Sequence, residues 1–147
     1  MLHQFQNHNR YSPIQYLQSY PAGGRHLVME FYDCNANTLD SKEMLASIMK
    51  EASQAVGCYV IGELFHKFEP QGVTGVLLLS ESHCSIHTWP EHNRASVDFY
   101  CCGTNDPINA LSVFVRRLES KSANYLLVDR TESIKTFELN STNRAKL

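Results

Sequence analysis

Long apolar runs are missing from this sequence: none approaches the roughly 18 residues that a membrane span requires. No membrane association is therefore expected. The opening stretch "MLHQFQNHNRYSPIQYLQSYPAGG" (1–24) lacks the charged segment followed by an apolar core that marks a secretory signal. Excess charge is missing too. Formal net charge is −2, and no basic stripe with interleaved aromatics is present, so nucleic acid is not an expected partner. There is no C-x-x-C pair, and the five cysteines, at 34, 58, 84, 101 and 102, are odd in number. Both points argue against a disulfide framework and for a reducing compartment, with the cytoplasm expected.

What is there is a chain of 147 residues, 43% hydrophobic and 19% charged. That is the size and balance of one globular domain able to bury a core without staples. A single domain over 1–147 is expected, with 1–24 as an N-terminal extension that is polar, aperiodic and ordered by contact with a partner. "RHLVMEFYDC" (25–34) is β-rich and half alternating, which predicts a strand. Asn37-Thr38-Leu39-Asp40 opens a helix, "SKEMLASIMKEASQAVG", in which Leu45, Ile48 and Met49 recur at helical spacing and Gly57 supplies the stop. Further strands are expected at 58–68, 73–80, 83–89 and 94–102, with a turn at Pro70-Gln71-Gly72. Asp106-Pro107 predicts a helix through about Lys121, and "NYLLVDR" (124–130) a last strand; the polar tail from Thr131 is left unassigned. Short connections between the middle strands favour antiparallel pairing. The expected fold is α+β, a two-layer sandwich of a mainly antiparallel sheet with helices on one face.

One stretch does not read as filler. "LLLSESHCSIHTWPEH" (77–92) passes from an apolar run into Ser80-Glu81-Ser82, two closely spaced histidines, a cysteine and the only tryptophan. With period two, His83, Ser85, His87 and Trp89 face one way, and Cys84, Ile86 and Thr88 the other. A zinc site would need His83, His87, Cys84 and His92, but Cys84 points away from the histidines and no second ligand pair has finger-like spacing. No metal is expected. A serine hydrolase would pair Ser82 or Ser85 with His87, yet no G-x-S-x-G elbow surrounds either serine.

"QGVTGVLLLSESHCSIHTWPE", with "GRHLVMEFYDC" before it and "VDFYCCG" after it, closely resembles the processing region of the short prokaryotic S-adenosylmethionine decarboxylases. The similarity runs from about Gly24 to Gly103 and more loosely to Arg130. A Glu-Ser pair with His five residues on and Cys-Gly twenty on is a specific string.

The resemblance implies a proenzyme that makes its own cofactor by cutting the Glu81–Ser82 bond. The Ser82 hydroxyl would attack the Glu81 carbonyl and convert the amide to an ester. His87 would then remove the Ser82 α-proton, and β-elimination would leave a covalently bound pyruvoyl group derived from Ser82. The products would be a β chain, 1–81, and an α chain, 82–147. Serine is a weak nucleophile at neutral pH and needs a base or strained geometry, and the developing oxyanion needs a donor. Thr74, eight residues before the cut, matches the family's processing hydroxyl. The ketone would take the substrate amine as a Schiff base and act as the electron sink for loss of CO₂. Cys102 would then donate a proton to the α-carbon, as a thiol can near neutrality, while Cys101 faces the core.

By the same resemblance Phe68, six residues before Thr74, stacks on adenine, and Glu91, four after His87, holds the ribose hydroxyls. The implied substrate is S-adenosylmethionine, decarboxylated for spermidine synthesis, and the implied working unit is a homodimer of αβ units with active sites at the interface. The sequence departs from the family after Trp-Pro, where Glu91-His92-Asn93-Arg94 stands in place of Glu-Tyr-Gly-Tyr. Relatives with this chemistry act on arginine or ornithine, and Arg94 near the pocket would disfavour such cations. A non-catalytic regulatory homologue is a third reading, against which the intact Glu81-Ser82, His87 and Cys102 set speaks.

Overall fold

The computed structural model describes residues 23–130 and the backbone of 135–143. Strand β1 (Gly24–Tyr32) is followed by helices α1 (Ala36–Leu39) and α2 (Lys42–Val56). Strands β2 (Val60–Lys67), β3 (Val73–Leu79), β4 (Ser82–Trp89) and β5 (Arg94–Cys102) come next, with a 3₁₀ turn at Pro90–His92 between the last two. Helix α3 (Asn109–Arg117), β6 (Ser122–Asp129) and β7 (Lys135–Asn143) complete the described chain. The strands form one antiparallel sheet in the order β2-β3-β4-β5-β1-β6-β7. This is the α+β arrangement expected from the pattern of elements.

Alternation decides which face each residue takes. Leu27, Met29 and Phe31 on β1, Leu77 and Leu79 on β3, Cys84 and Ile86 on β4, and Val97 and Phe99 on β5 are all buried. They meet the apolar stripe of α2, Leu45, Ile48, Met49 and Ala52, and Phe114 of α3. Phe31 and Phe114 stack tilted at 5.8 Å between ring centroids. Glu51 on α2 pairs with both Arg116 and Arg117 of α3. Thr88 is the polar exception on this face. Its hydroxyl donates to Leu39 O at 2.7 Å and accepts from Val73 N at 2.9 Å, which ties the end of α1 to the sheet.

Element ends follow local chemistry. Ser41 caps α2 through Met44 N, so the expected single helix divides into α1, capped by Asn35, and α2. Gly57 ends α2 in the left-handed region, φ 87°, as its place in the sequence requires. The second helix is shorter than expected. Asp106 Oδ1 accepts from Ile108 N in a turn before it, and after Leu118 the chain bends through Glu119, φ 55°, so Lys121 lies outside the helix and its N–H joins Tyr32 O. Strand β1 stops at Tyr32 because Asp33 adopts φ 51°, which leaves Cys34 outside the strand. At Gly75 a Cβ would run into the ring of its cross-strand partner Phe65, so only glycine lets that ring lie over β3. Strand β7 falls in the tail that the sequence left unassigned, and the 1–22 extension lies outside the described residues.

Phe114→Ala removes the ring that locks α3 to β1. The expected cost is about 3–5 kcal/mol, read as a lower urea midpoint with an unchanged slope.

Candidate active site

The reactive side chains fall into two groups at opposite ends of β4, most of them on the face of the sheet away from the helices. The first lies where β2, β3 and β4 run side by side. Thr74 and His87 are cross-strand partners, and Thr74 Oγ1 and His87 Nδ1 share a hydrogen bond of 2.9 Å. His66, the partner of Thr74 on β2, meets the Phe68 ring edge-on at 4.6 Å, while Trp89 lies tilted 6.5 Å from His87. Phe68 and Trp89 are about half exposed. Glu91 sits on the 3₁₀ turn beyond Trp89 and accepts from Gln71 Nε2 at 3.2 Å. Phe68, Thr74, His87 and Glu91 therefore belong to one end of the sheet.

The second group surrounds the β3–β4 hairpin. Glu81 at its tip adopts φ 62°, a left-handed conformation that costs a non-glycine residue on the order of 1 kcal/mol. Ser82 opens β4 as the partner of Cys101 on β5, and Cys102 is the next residue along. Cys102 Sγ approaches Tyr100 Oη at 3.7 Å. The Tyr100 ring is stacked on His83 at 5.6 Å, met edge-on by His26 at 6.1 Å, and covered by the Arg130 guanidinium at 4.9 Å. His26 Nε2 stands 3.3 Å from Asp98 Oδ1. That approach is the main reason the Asp98 carboxyl is held below its ordinary range. Desolvation, reinforced by the neighbouring His26, lowers the His83 imidazole.

The two groups do not meet within one chain. His87 follows Ser82 by five strand residues, which at about 3.3 Å each is roughly 17 Å. Faces differ as well. Ser82 shares the alternation of the buried Cys84 and Ile86, whereas His87 is exposed on the opposite side. The sequence expectation that His87 serves Ser82 is thus not met by proximity in a single chain. Arg94 also differs from expectation: its guanidinium is 3.1 Å from Glu30 Oε2 and 4.9 Å over the Tyr32 ring, so its charge is already answered.

Tyr100, His83, His26 and Asp98 were missed as neighbours of Cys102. Tyr100 carried a usable signal, since two residues before Cys102 on a strand is the same face. Cys58 was missed with no local signal at all. It follows the helix stop at Gly57, and its Sγ lies 4.0 Å from Asn105 Nδ2, with Cys101 and Ser82 as further side-chain neighbours. Among the described residues no helix is long and apolar enough to cross a membrane, and no three His, Cys, Asp or Glu side chains converge to hold a metal ion.

Residues 25–131 match the family model described as S-adenosylmethionine decarboxylase. A protein of Thermosipho melanesiensis named S-adenosylmethionine decarboxylase proenzyme is 46% identical over 99 residues, covering 67% of this chain and 76% of that protein. Its namesake in Thermotoga maritima is 42% identical over the same length and coverage. The crystal structure of the adenosylmethionine decarboxylase from Aquifex aeolicus superimposes with a TM-score of 0.68 at 30% identity, over 82% of this chain and 98% of that one. These similarities define the class as a pyruvoyl-dependent carboxy-lyase made as a proenzyme, its pyruvoyl group formed from a serine by self-cleavage. The chain belongs to the S-adenosylmethionine decarboxylase family.

Acid should reveal the strain on His83. Its imidazole titrates below the ordinary 6.5 in the fold, so the unfolded chain binds the proton first as pH falls through 6.5. Stability is lost across the interval down to the lowered value and then levels. Urea midpoints measured near pH 7.5 and pH 5.5 should therefore fall less for His83→Gln than for the parent chain.

Proposed function

We propose that this chain is a proenzyme that cuts itself between Glu81 and Ser82, into a β chain, 1–81, and an α chain, 82–147, and then decarboxylates S-adenosylmethionine as a homodimer of αβ units. Its product would serve as the aminopropyl donor for spermidine synthesis. The proenzyme name of the relatives supports S-adenosylmethionine rather than arginine or ornithine as substrate. All five cysteines are free, which fits the reducing cytoplasm.

Residues at the hairpin fit a serine-derived group. Ser82 stands at a turn whose preceding residue is strained, φ 62°, and opening that bond relieves the strain. When formed, the pyruvoyl ketone supplies the electron sink for loss of CO₂. Cys102, next to the Ser82 partner Cys101 at the end of β5, would donate the proton that replaces the carboxylate.

One observation carries the dimer: along β4 the Ser82 end and the Thr74–His87 end of the reactive set stand some 17 Å apart, where proton transfer needs about 3 Å. A twofold axis lying between two facing sheets, across the strands, brings the hairpin end of one copy over the opposite end of the other. The partner's Thr74 hydroxyl then donates to the oxyanion formed at Glu81, and the partner's His87 takes the Ser82 α-proton. Phe68 and Glu91 reach the substrate from that same copy, as an aromatic surface for adenine and an acceptor for two ribose hydroxyls. The open face supports such a cover. Leu64 is 73% and Leu78 56% exposed there, with Val76 and Trp89 close by.

Complementation tests this arrangement. Ser82→Ala and His87→Ala expressed separately should each fail to yield the two fragments. Co-expressed, they share one intact composite site, and the His87→Ala copy should be cut before residue 82, seen by intact mass. A His87→Ala chain that cuts itself unaided would overturn the assignment. Cys102→Ala should still be cut, but release of CO₂ from carboxyl-labelled S-adenosylmethionine should fall at least about a hundredfold. Release from labelled arginine or ornithine alone would move the substrate. A parent chain that is never cut would favour the regulatory reading.

A further inference from the structure

Ser82 directs its side chain away from His87, so the first step of self-cutting lacks a base among the residues assigned so far. We propose that Cys58 is that base, accepting the Ser82 hydroxyl proton as the Oγ attacks the Glu81 carbonyl; this rests on the self-cutting reading above.

The geometry begins with the end of α2. Gly57 turns the chain, Cys58 N closes the helix on Ser53 O at 2.9 Å, and Tyr59 O accepts from Ser80 N at 2.9 Å. These bonds fix Cys58 beside the β3–β4 hairpin. On the other side, pairing of Ser82 with Cys101 puts both side chains on the helix-facing side of the sheet. Ser82 and Cys101 are side-chain neighbours of the Cys58 sulfur, and Asn105 Nδ2 approaches it at 4.0 Å while also reaching Gly57 O at 3.4 Å. Cys101 Sγ also lies 3.1 Å from Asn105 O, so its single S–H is shared between that carbonyl and the Cys58 sulfur.

Such surroundings stabilise a sulfur anion. The Cys101 contact, followed by the Ser82 and Asn105 donors, outweighs partial burial and brings the Cys58 thiol down to about 7. The other groups facing this thiol carry no opposing charge close to neutrality. Cys84 is driven upward by burial and stays protonated, as does Cys101, and Arg25 and Asp106 next to Cys101 pair with each other at 3.0 Å. A buried thiol pair could instead be mere core, but a core thiol is expected to be raised, as Cys84 is.

The step balances without any outside reagent. The proton leaves Ser82 Oγ for Cys58 Sγ as the Oγ–C bond forms at Glu81. The C–N bond then breaks, and the Cys58 thiol returns the proton to the Ser82 nitrogen, leaving an ester and a free amine. His87 acts only afterwards, on the α-proton.

Cell-free synthesis of the full chain, with cutting followed on gels across a pH series, tests the assignment. In the parent chain the rate should rise through about pH 7 and level above it. Cys58→Ala should slow cutting at least about tenfold and abolish that rise. Cys101→Ala, which removes the largest of the contacts that lower the thiol and leaves Ser82 and Asn105 in place, should move the rise to higher pH, a shift that loss of packing would not produce. Hydroxylamine, which cleaves esters and spares amides, separates the steps: the His87→Ala chain should be split by it and the Cys58→Ala chain should not. Cutting of Cys58→Ala and Cys58→Ser at the parental rate with the parental pH dependence would overturn the role of Cys58 alone. An uncut parent chain would instead overturn the reading it rests on.

Discussion

The alternation of β4 between β3 and β5 is the constraint on which the site depends. Pinned on both sides by continuous ladders, β4 cannot slip by one residue without sending Cys84 and Ile86 to solvent and His83 and His87 under the helices. Burial of one face therefore also fixes the other. It brings Thr74 onto His87, sets His83 against Tyr100, and turns Ser82 toward Cys58 instead of toward the imidazole.

Electrostatics on the open face are settled locally. Asp98 stands 3.3 Å from His26 Nε2, and Glu30 pairs with Arg94 at 3.1 Å. Exposed ion pairs of this kind add little stability.

Much of the fold was legible because it rests on period. Alternation in 73–80 and 94–102, helical spacing of Leu45, Ile48 and Met49, and the stop at Gly57 are all local signals, and each element stands where they point. β7 was not legible, since "KTFELNSTN" is too polar to alternate clearly and is recruited by backbone pairing with β6. The site residues were named through a resemblance, whose string of positions says nothing about distance within a chain. The rise per residue along β4 could have warned that Ser82 and His87 stand apart. Cys58 could not have been found, because only the return of the chain after α2 brings it to the hairpin. Nor could the pairing of Arg94 with Glu30, which are 64 residues apart.

Sheet order has one more consequence. β1 is inserted between β5 and β6, while β3 lies beside β4 with β2 outside it. A chain opened at the Glu81–Ser82 bond would thus consist of two interleaved pieces, joined along the seams β3/β4, β5/β1 and β1/β6. Neither piece could depart without dismantling the centre of the sheet. Severing the backbone at that tip frees a new terminus while leaving the body of the molecule as cooperative as before, and dilution alone would not part the fragments.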